Sequence, residues 1–493
     1  MTEEYYVACD LGAESGRVIV GRLVDGKLQF EEIHRFANRP VSKNGSLHWD
    51  ANMIFEELKV GLQIIADRDY SVASISVDSW GVDYALVGKD GQMLAEPFNY
   101  RDSRTDSVYA KIQDSTKQNI IFPETGIQFM QINTLYQLIS EKEQNSDQLS
   151  SARCFLTIAD FFNYRLSGVA KIEESLASTT QLFNPITRNW STALTNEFEL
   201  PETIFPPLCT SGSTLGPLLP ELRFSDCFAN TKVVATCSHD TGAAVAAIPA
   251  VHDQNWAFLS SGTWSLLGVE LQQPMITETA LDQNFTNEAG YGGTTRFLQN
   301  MIGLWILQEC RRQWSDEGNH LEYAQITELA SEVEPLRSLI DPNADRFLKP
   351  GDMPIKIVQF CEETDQPIPE TPGQFARCIL ESLALLYSRN LKLIEQMTGL
   401  QIDTLHIVGG GSNNKLLNQF TADATARSVI AGPVEATAIG NLLIQAISLG
   451  DLESLAQLRD VVRNSFEIET YNPNPSGSWQ DVGKRFSLLD IKK

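Results

Sequence analysis

One short plan occurs twice in this chain of 493 residues, and that repetition limits its possible folds more than any other feature. Tyr5–Asp10 reads as an apolar strand, a turn holding Gly12 and Gly16 follows, and Arg17–Leu23 reads as a second strand. Near residue 250 the pattern restarts, with a strand at Trp256–Ser261, a turn at Gly262 and a strand at Trp264–Leu271. Both turns carry hydroxyl side chains, Ser15 in the first and Ser260, Ser261 and Thr263 in the second. After the first hairpin come a third strand, Leu28–Phe36, and a helix capped by Asp50. Its apolar stripe is Ile54, Leu58, Leu62 and Ile65, and a buried-type strand, Val72–Asp78, follows. Strands and helices in this order make a mixed sheet with helical cover, which is α/β rather than all-β. Length alone suggests about three domains, but the doubled plan predicts two large ones, residues 1–248 and 249–493. No period of 20–50 residues is present, which excludes a solenoid.

The remaining elements fit the same reading. Further strands are expected at Tyr84–Val87 and Lys232–Cys237, with helices at Thr105–Gln118, Asn133–Gln144, Ile158–Leu166 and Thr241–Ile248. Pro201, Pro206, Pro207, Pro217 and Pro220 mark a loop-rich connection. The second half should hold helices at Phe297–Trp314 and Gln374–Thr398. It closes with a strand, Leu405–Val408, a turn, Gly409-Gly410-Gly411, and a helix, Asn413–Ala426, then the strand Ser428–Ala431 and the helix Thr437–Ser448.

Charge narrows the partners. With 38 Lys+Arg against 63 Asp+Glu, the formal net charge is −25. A nucleic acid or an anionic membrane needs a concentrated basic face, so neither is expected. The opening residues lack a basic segment followed by an apolar core, and no apolar run approaches the ~20 residues of a membrane helix. A cytoplasmic setting is therefore expected. The eight Cys include no C-x-x-C pair, which removes zinc ribbons and thioredoxin-like sites and predicts free thiols. Cys361 and Cys378 flank a Pro-rich loop, so the two can meet in space.

Five segments can carry chemistry. Asp10-Leu11-Gly12-Ala13-Glu14-Ser15-Gly16-Arg17 is a hairpin whose amides can face phosphate oxygens, with Asp10 able to hold a hydrated Mg²⁺. Ser260-Ser261-Gly262-Thr263 repeats the device in the second half. Two such hairpins, one opening each half, suit a nucleotide gripped from both sides. Gly409-Gly410-Gly411 is not a dinucleotide fingerprint, because Asn414 stands where the last Gly would be, but it suits the approach of a flat ring. Ser238-His239-Asp240-Thr241 puts Asp240 at a helix start, as an N-cap or as a general base for a sugar hydroxyl. Val77–Asp83 and Asn99–Asp102 collect Trp, Asp, Arg and Gly in a way that suits a polyol, although Trp80 alone reads as a sheet-edge anchor. Other phosphate motifs are absent: Gly483-Lys484 lacks the upstream Gly of a P-loop, and no protein-kinase H-R-D or D-F-G segment occurs.

Taken in order, DLGAESGR, VDSWGVDYALV, NYRDSRTD, SHDTGAAV, LSSGTWSLLG, HIVGGGSNNKLLNQFTADAT and GPVEATAIGN resemble the FGGY carbohydrate kinases. TGIQFMQINTLYQL, NEAGYGGTTRFLQNMIGLW, DPNADRF and ETDQPIP extend the resemblance from about residue 5 to about residue 475. It implies two actin/hexokinase-like (ribonuclease H-like) α/β lobes with an interlobe active-site cleft. It also implies phosphoryl transfer from ATP, with Mg²⁺, to the C1 hydroxyl of a ketose, L-rhamnulose before L-fuculose. A non-catalytic sugar or nucleotide sensor on the same fold is the other class.

The resemblance assigns roles residue by residue. Ala13, Glu14, Ser15, Gly16 and Arg17 form the first phosphate loop, and Asp10 organises the metal. Gly81, His239, Asp240 and Thr241 line the sugar site, with Asp240 the catalytic base. Thr263 and Gly410 bind ATP, as do Asn300 and Gln308, which on the expected helix lie about 80° apart around the axis. Glu14 puts an anion in the loop and is expected to face solvent or to help hold Mg²⁺.

Overall fold

A computed structural model describes residues 4–68, 70–144, 147–251, 255–474 and 478–489. The opening meander is present as β1 (Glu4–Leu11), β2 (Ser15–Val24) and β3 (Lys27–Ala37), paired antiparallel in order. From Tyr6 onward β1 is buried, which explains why Val7-Ala8-Cys9 reads as an apolar run rather than as an alternation. Its other neighbour, Ser71–Ser79, runs parallel to it. A parallel partner requires a crossover, and α1 (Ala51–Asp67) supplies it. The Asp50 side chain caps this helix by accepting from the Met53 amide at 2.9 Å. Gly61 lets the helix approach β2, since an added Cβ would lie 2.6 Å from Val18 Cγ2.

The first sheet runs Ser213–Pro217, Lys232–Ala235, Ser71–Ser79, β1, β2, β3. The second runs Glu469–Tyr471, Ser428–Ala431, Thr404–Val408, Trp256–Ser261, Trp264–Leu271, Thr295–Ile302, with Thr286–Ala289 as its seventh strand. In each, a central strand pairs antiparallel with its hairpin partner and parallel with a later strand; that strand has a second parallel neighbour, followed by an antiparallel edge. The repeat read from the two hairpins therefore extends through both sheets.

Two compact units result. One comprises Met1–Pro249, Glu270–Phe297 and Ala436–Ser465; the other comprises Ala250–Val269, Leu298–Glu435 and Phe466–Lys493. Within the first, the late helix Ala436–Leu449 lies on the opening sheet through polar residues one turn apart. Gln445 donates to the Val7 carbonyl at 3.0 Å and accepts from Ser74 Oγ at 2.7 Å, while Asn441 donates to Asp78.

Two expected helices differ, and one strand is unexpected. Phe297–Trp314 is not one helix: Thr295–Ile302 is a strand, and the helix is Trp305–Asp316. The break falls at Gly303, whose amide donates to the Thr263 carbonyl at 3.1 Å and where an added Cβ would lie 2.8 Å from the Gly262 carbonyl. The helix expected at Thr105–Gln118 ends at Gln113, having started at Asp106, and a second helix runs from Gln118 to Thr125. Cys154–Thr157, unmarked in the sequence by any alternation, is a strand paired with Tyr84–Val87. All eight Cys are free, and Cys361 and Cys378 are both buried. Among the described residues no helix is long and apolar enough to cross a membrane.

The packing of two helices at Gly440 yields a stability test. A Cβ on Gly440 would sit 1.9 Å from the Ala243 carbonyl oxygen, so Gly440→Ala must push two backbones apart. Overpacking of this kind costs about 1–3 kcal/mol. Parallel thermal melts should show a clear loss in Gly440→Ala and almost none in Gly483→Ala, where an added Cβ meets nothing within 4 Å.

Candidate active site

Three carboxylates gather at strand ends in the first unit. Asp10 and Asp78 are register partners on neighbouring parallel strands. Ser79 then bridges to His239 in parallel fashion, its amide donating to the Ser238 carbonyl at 2.8 Å. Asp240 follows as the first residue of a helix, Asp240–Ala246. Arg17, the partner of Asp10 across the hairpin, forms an ion pair with it. Asp78 is fully buried, and desolvation together with the charge of Asp10 holds its carboxyl well above the usual range. Asn441 donates to Asp78 Oδ2 at 2.5 Å and Arg17 lies near, and both work in the other direction.

Asp240 is arranged differently. Its side chain is 32% exposed. Oδ1 accepts from the Thr241 amide at 2.5 Å and from Thr241 Oγ1 at 3.1 Å. Oδ2 has no protein partner among the described residues. Desolvation and the charge of Asp10 raise the Asp240 carboxyl, while the bonds from Thr241 work in the other direction. The loop before it is pinned from below: Glu173 accepts from the Ser238 amide at 2.9 Å, and Ser175 Oγ accepts from the His239 amide at 3.0 Å. Nothing in the sequence around Glu173 marks it for this role.

The first hairpin turn uses its carbonyls internally. Gly12 donates to the Ser15 carbonyl at 2.9 Å, Asn38 Nδ2 donates to the Gly12 carbonyl at 2.8 Å, and the Asn38 amide donates to the Glu14 carbonyl at 3.0 Å. The amides of Ala13 and Glu14 have no protein partner among the described residues. Glu14 is exposed, so its charge faces solvent as expected.

Around Gly81 the structure decides between two readings of Trp80. Its indole N–H donates to Asp83 Oδ2 at 3.0 Å, and its ring lies 4.4 Å from that of Trp49. Trp80 is thus a buried anchor. Asp83 also accepts from Trp49 Nε1 at 2.6 Å, the Tyr100 amide at 3.2 Å and Gln137 Nε2 at 3.0 Å. Burial pushes its carboxyl up to about 6 although all four donors favour the anion. Asn99 and Asp102 serve turns, accepting from the Arg101 amide at 2.8 Å and the Arg104 amide at 3.0 Å, and Asp102 also accepts from the distant Leu47 amide at 2.7 Å.

The second unit assembles Ser261, Gly262, Thr263 and the triple Gly. Leu304 and Trp305 donate to the carbonyls of Gly262 and Thr263 at 2.9 and 3.2 Å, tying the second hairpin to the start of the helix Trp305–Asp316. Gln308 lies on that helix, and its Oε1 is buried with no hydrogen-bond partner among the described residues. Asn300 lies on the strand Thr295–Ile302, so the expected helical spacing between the two does not exist.

Comparison with known proteins gives a family to this arrangement. The chain matches the N-terminal domain of the FGGY family of carbohydrate kinases over residues 5–247 and the C-terminal domain over residues 257–449. It belongs to that family and is a carbohydrate kinase. Similar curated proteins include the rhamnulokinase of Bacteroides thetaiotaomicron, 41% identical over 477 residues covering 97% of each chain. The rhamnulokinase of Enterococcus faecalis is 41% identical over 491 residues, 98% of each chain. Among solved structures, a gluconate kinase from Lactobacillus acidophilus superposes with a TM-score of 0.82 at 16% identity, over 99% of this chain and 98% of that one. A Plasmodium falciparum glycerol kinase with ADP gives 0.79 at 14% identity, over 100% of this chain and 99% of that one. The two-lobed actin/hexokinase-like fold is shared with these enzymes.

The triple Gly separates packing from openness within three residues. A Cβ on Gly411 would lie 2.0 Å from Ser261 Oγ, whereas one on Gly410 meets nothing within 4 Å. Gly411→Ala should therefore lose about 1–3 kcal/mol, and Gly410→Ala should stay within about 0.5 kcal/mol of the parent. Denaturant melts of the two variants side by side check this.

Proposed function

We propose that the chain is an ATP-dependent kinase of L-rhamnulose, forming L-rhamnulose 1-phosphate and ADP. The observation that carries this reading is Asp240, with Oδ1 held by Thr241 and Oδ2 left open beside Asp10, in a chain about 40% identical to proteins named rhamnulokinase. A sugar hydroxyl is a poor nucleophile, and a carboxylate that takes its proton during attack is the usual aid to phosphoryl transfer. Asp240 Oδ2 would accept the C1 hydroxyl proton, while Gly81, His239 and Thr241 orient the ketose. The division of labour follows residues 1–248 for the sugar and the first phosphate loop, and 249–493 for the adenosine side.

The residues present fit a nucleotide. Gln308 offers a buried acceptor without a partner, Gly410 leaves room for a ring, and the amides of Ala13 and Glu14 are uncommitted. Ser15, Gly16, Arg17, Thr263 and Asn300 complete the proposed ATP set, with Asn300 acting from a strand. Mg²⁺, when bound, neutralises phosphate charge, and Asp10 would hold it.

An ADP-release assay over L-rhamnulose, L-fuculose, D-xylulose, gluconate and glycerol tests the substrate. L-Rhamnulose should give the highest kcat/KM, and a higher value for L-fuculose would replace it. Asp240→Asn should fold normally and lose about 10²- to 10⁴-fold in kcat. Turnover near that of the parent would remove Asp240 as the base.

A further inference from the structure

We infer that Arg296 is a positioning residue for the acceptor side of the site, fixing His239 as the tautomer that carries its proton on Nε2. This rests on the reading of Asp240 as base. Arg296 is fully buried, and its Nη2 donates to His239 Nδ1 at 3.1 Å. A guanidinium has donors and no acceptor, so the ring nitrogen it meets must present a lone pair. A neutral imidazole with a bare Nδ1 holds its proton on Nε2. That nitrogen lies 3.4 Å from Asp240 Oδ1.

The surroundings hold the guanidinium in place. Arg296 Nε donates to the Ala289 carbonyl at 3.2 Å, and Glu288 Oε2 lies 3.3 Å from Arg296 Nη2, balancing its charge. The same Glu288 oxygen is 3.4 Å from His239 Nδ1, so an imidazole protonated on Nδ1 would face it instead. The two tautomers therefore name different orienting groups, Arg296 or Glu288, and the contact to Arg296 is the shorter one.

The tautomer has consequences for the reaction. With a proton already on Nε2, His239 cannot take the one leaving the sugar hydroxyl, and Asp240 is the only acceptor of the pair. The N–H also adds a donor on the Oδ1 side, where Thr241 already binds. The carboxylate is thereby turned so that Oδ2 is the oxygen left for the substrate. A charge buried two residues of contact away thus decides which atom acts.

Selective ¹⁵N-histidine labelling of the full chain tests this, since only six His are present and His239→Gln assigns the resonance. Two-bond nitrogen–proton correlation without sugar should show His239 as the Nε2–H tautomer. Arg296→Met should raise the sugar KM and lower kcat by about 10- to 100-fold, leave the ATP KM within about twofold, and lose the single tautomer. Arg296→Lys, which keeps a cationic donor, should restore most of both. A parent spectrum showing Nδ1–H or a doubly protonated ring overturns the inference, as does unaltered kcat and KM in Arg296→Met. If that variant does not fold, the parent spectrum and Arg296→Lys decide. The spectrum needs no substrate, so an Nε2–H ring in a chain inactive on L-rhamnulose would sink the substrate reading and leave this one standing.

Discussion

Repulsion among Asp10, Asp78 and Asp240 is the constraint around which the first unit is organised. Neighbouring strands lie about 5 Å apart, and at an effective dielectric of about 20 two unit charges at that distance repel by about 3 kcal/mol. A domain stable by only about 5–15 kcal/mol cannot carry several such terms uncompensated. The structure treats each carboxylate separately. Asp10 has the Arg17 guanidinium; Asp78, fully buried, has its carboxyl held well above the usual range by desolvation and by Asp10; Asp240 keeps partial exposure. Of the three, Asp240 is the one both partly exposed and adjacent to His239. Three chemically identical side chains thereby acquire three different roles from burial and partners alone.

The same economy explains how an acidic protein handles phosphate. A net charge of −25 provides no surplus of lysine to gather round a triphosphate. The first hairpin instead has the amides of Ala13 and Glu14 without a protein partner among the described residues, its turn being held by bonds from Gly12 and Asn38, and the second hairpin is held by bonds from Leu304 and Trp305. A backbone amide carries no net charge, so it adds nothing to the whole-chain balance. The proposed phosphate grip therefore depends on turn geometry.

Much of the fold was legible because its signals are local. Apolar runs and Gly turns gave the strands Glu4–Leu11, Ser71–Ser79 and Trp256–Ser261, and Asp50 gave the start of α1. The misread helix at Phe297–Trp314 shows where local signals end. Thr295–Ile302 has no clean alternation, and only the tertiary contact of Gly303 with the second hairpin forces a break. At the site, the hairpins, Asp240 and the triple Gly were visible as motifs. Glu173, Glu288, Arg296 and Asn441 were not, because each acts through a partner more than fifty residues away or through burial that no short window contains. Asn441 and Gln445 left a faint trace, two side-chain amides one turn apart in a mostly apolar helix.

Trp80 changes what the sugar side can rely on. An aromatic face flanked by Asp and Gly suggests a platform for the CH groups of a polyol, but the ring is buried on Trp49 and tied to Asp83. What it anchors is a strained turn, with Val82 at φ 68°, a region that β-branched residues avoid. Such a residue costs about 1–3 kcal/mol. Bonds from the Val82 amide to Thr179 Oγ1, and to its carbonyl from Thr134 Oγ1 and Gln137 Nε2, offset that cost. The next amide, Asp83, donates to the Gly81 carbonyl at 2.9 Å, so that carbonyl is also committed. Gly81 is consequently held by neighbours on both sides of the chain rather than by its own side chain. If it meets the sugar as proposed, selectivity there comes from a rigid backbone set by Asp83 and Trp80, not from an aromatic surface, and substitutions behind the turn should matter as much as those in front of it.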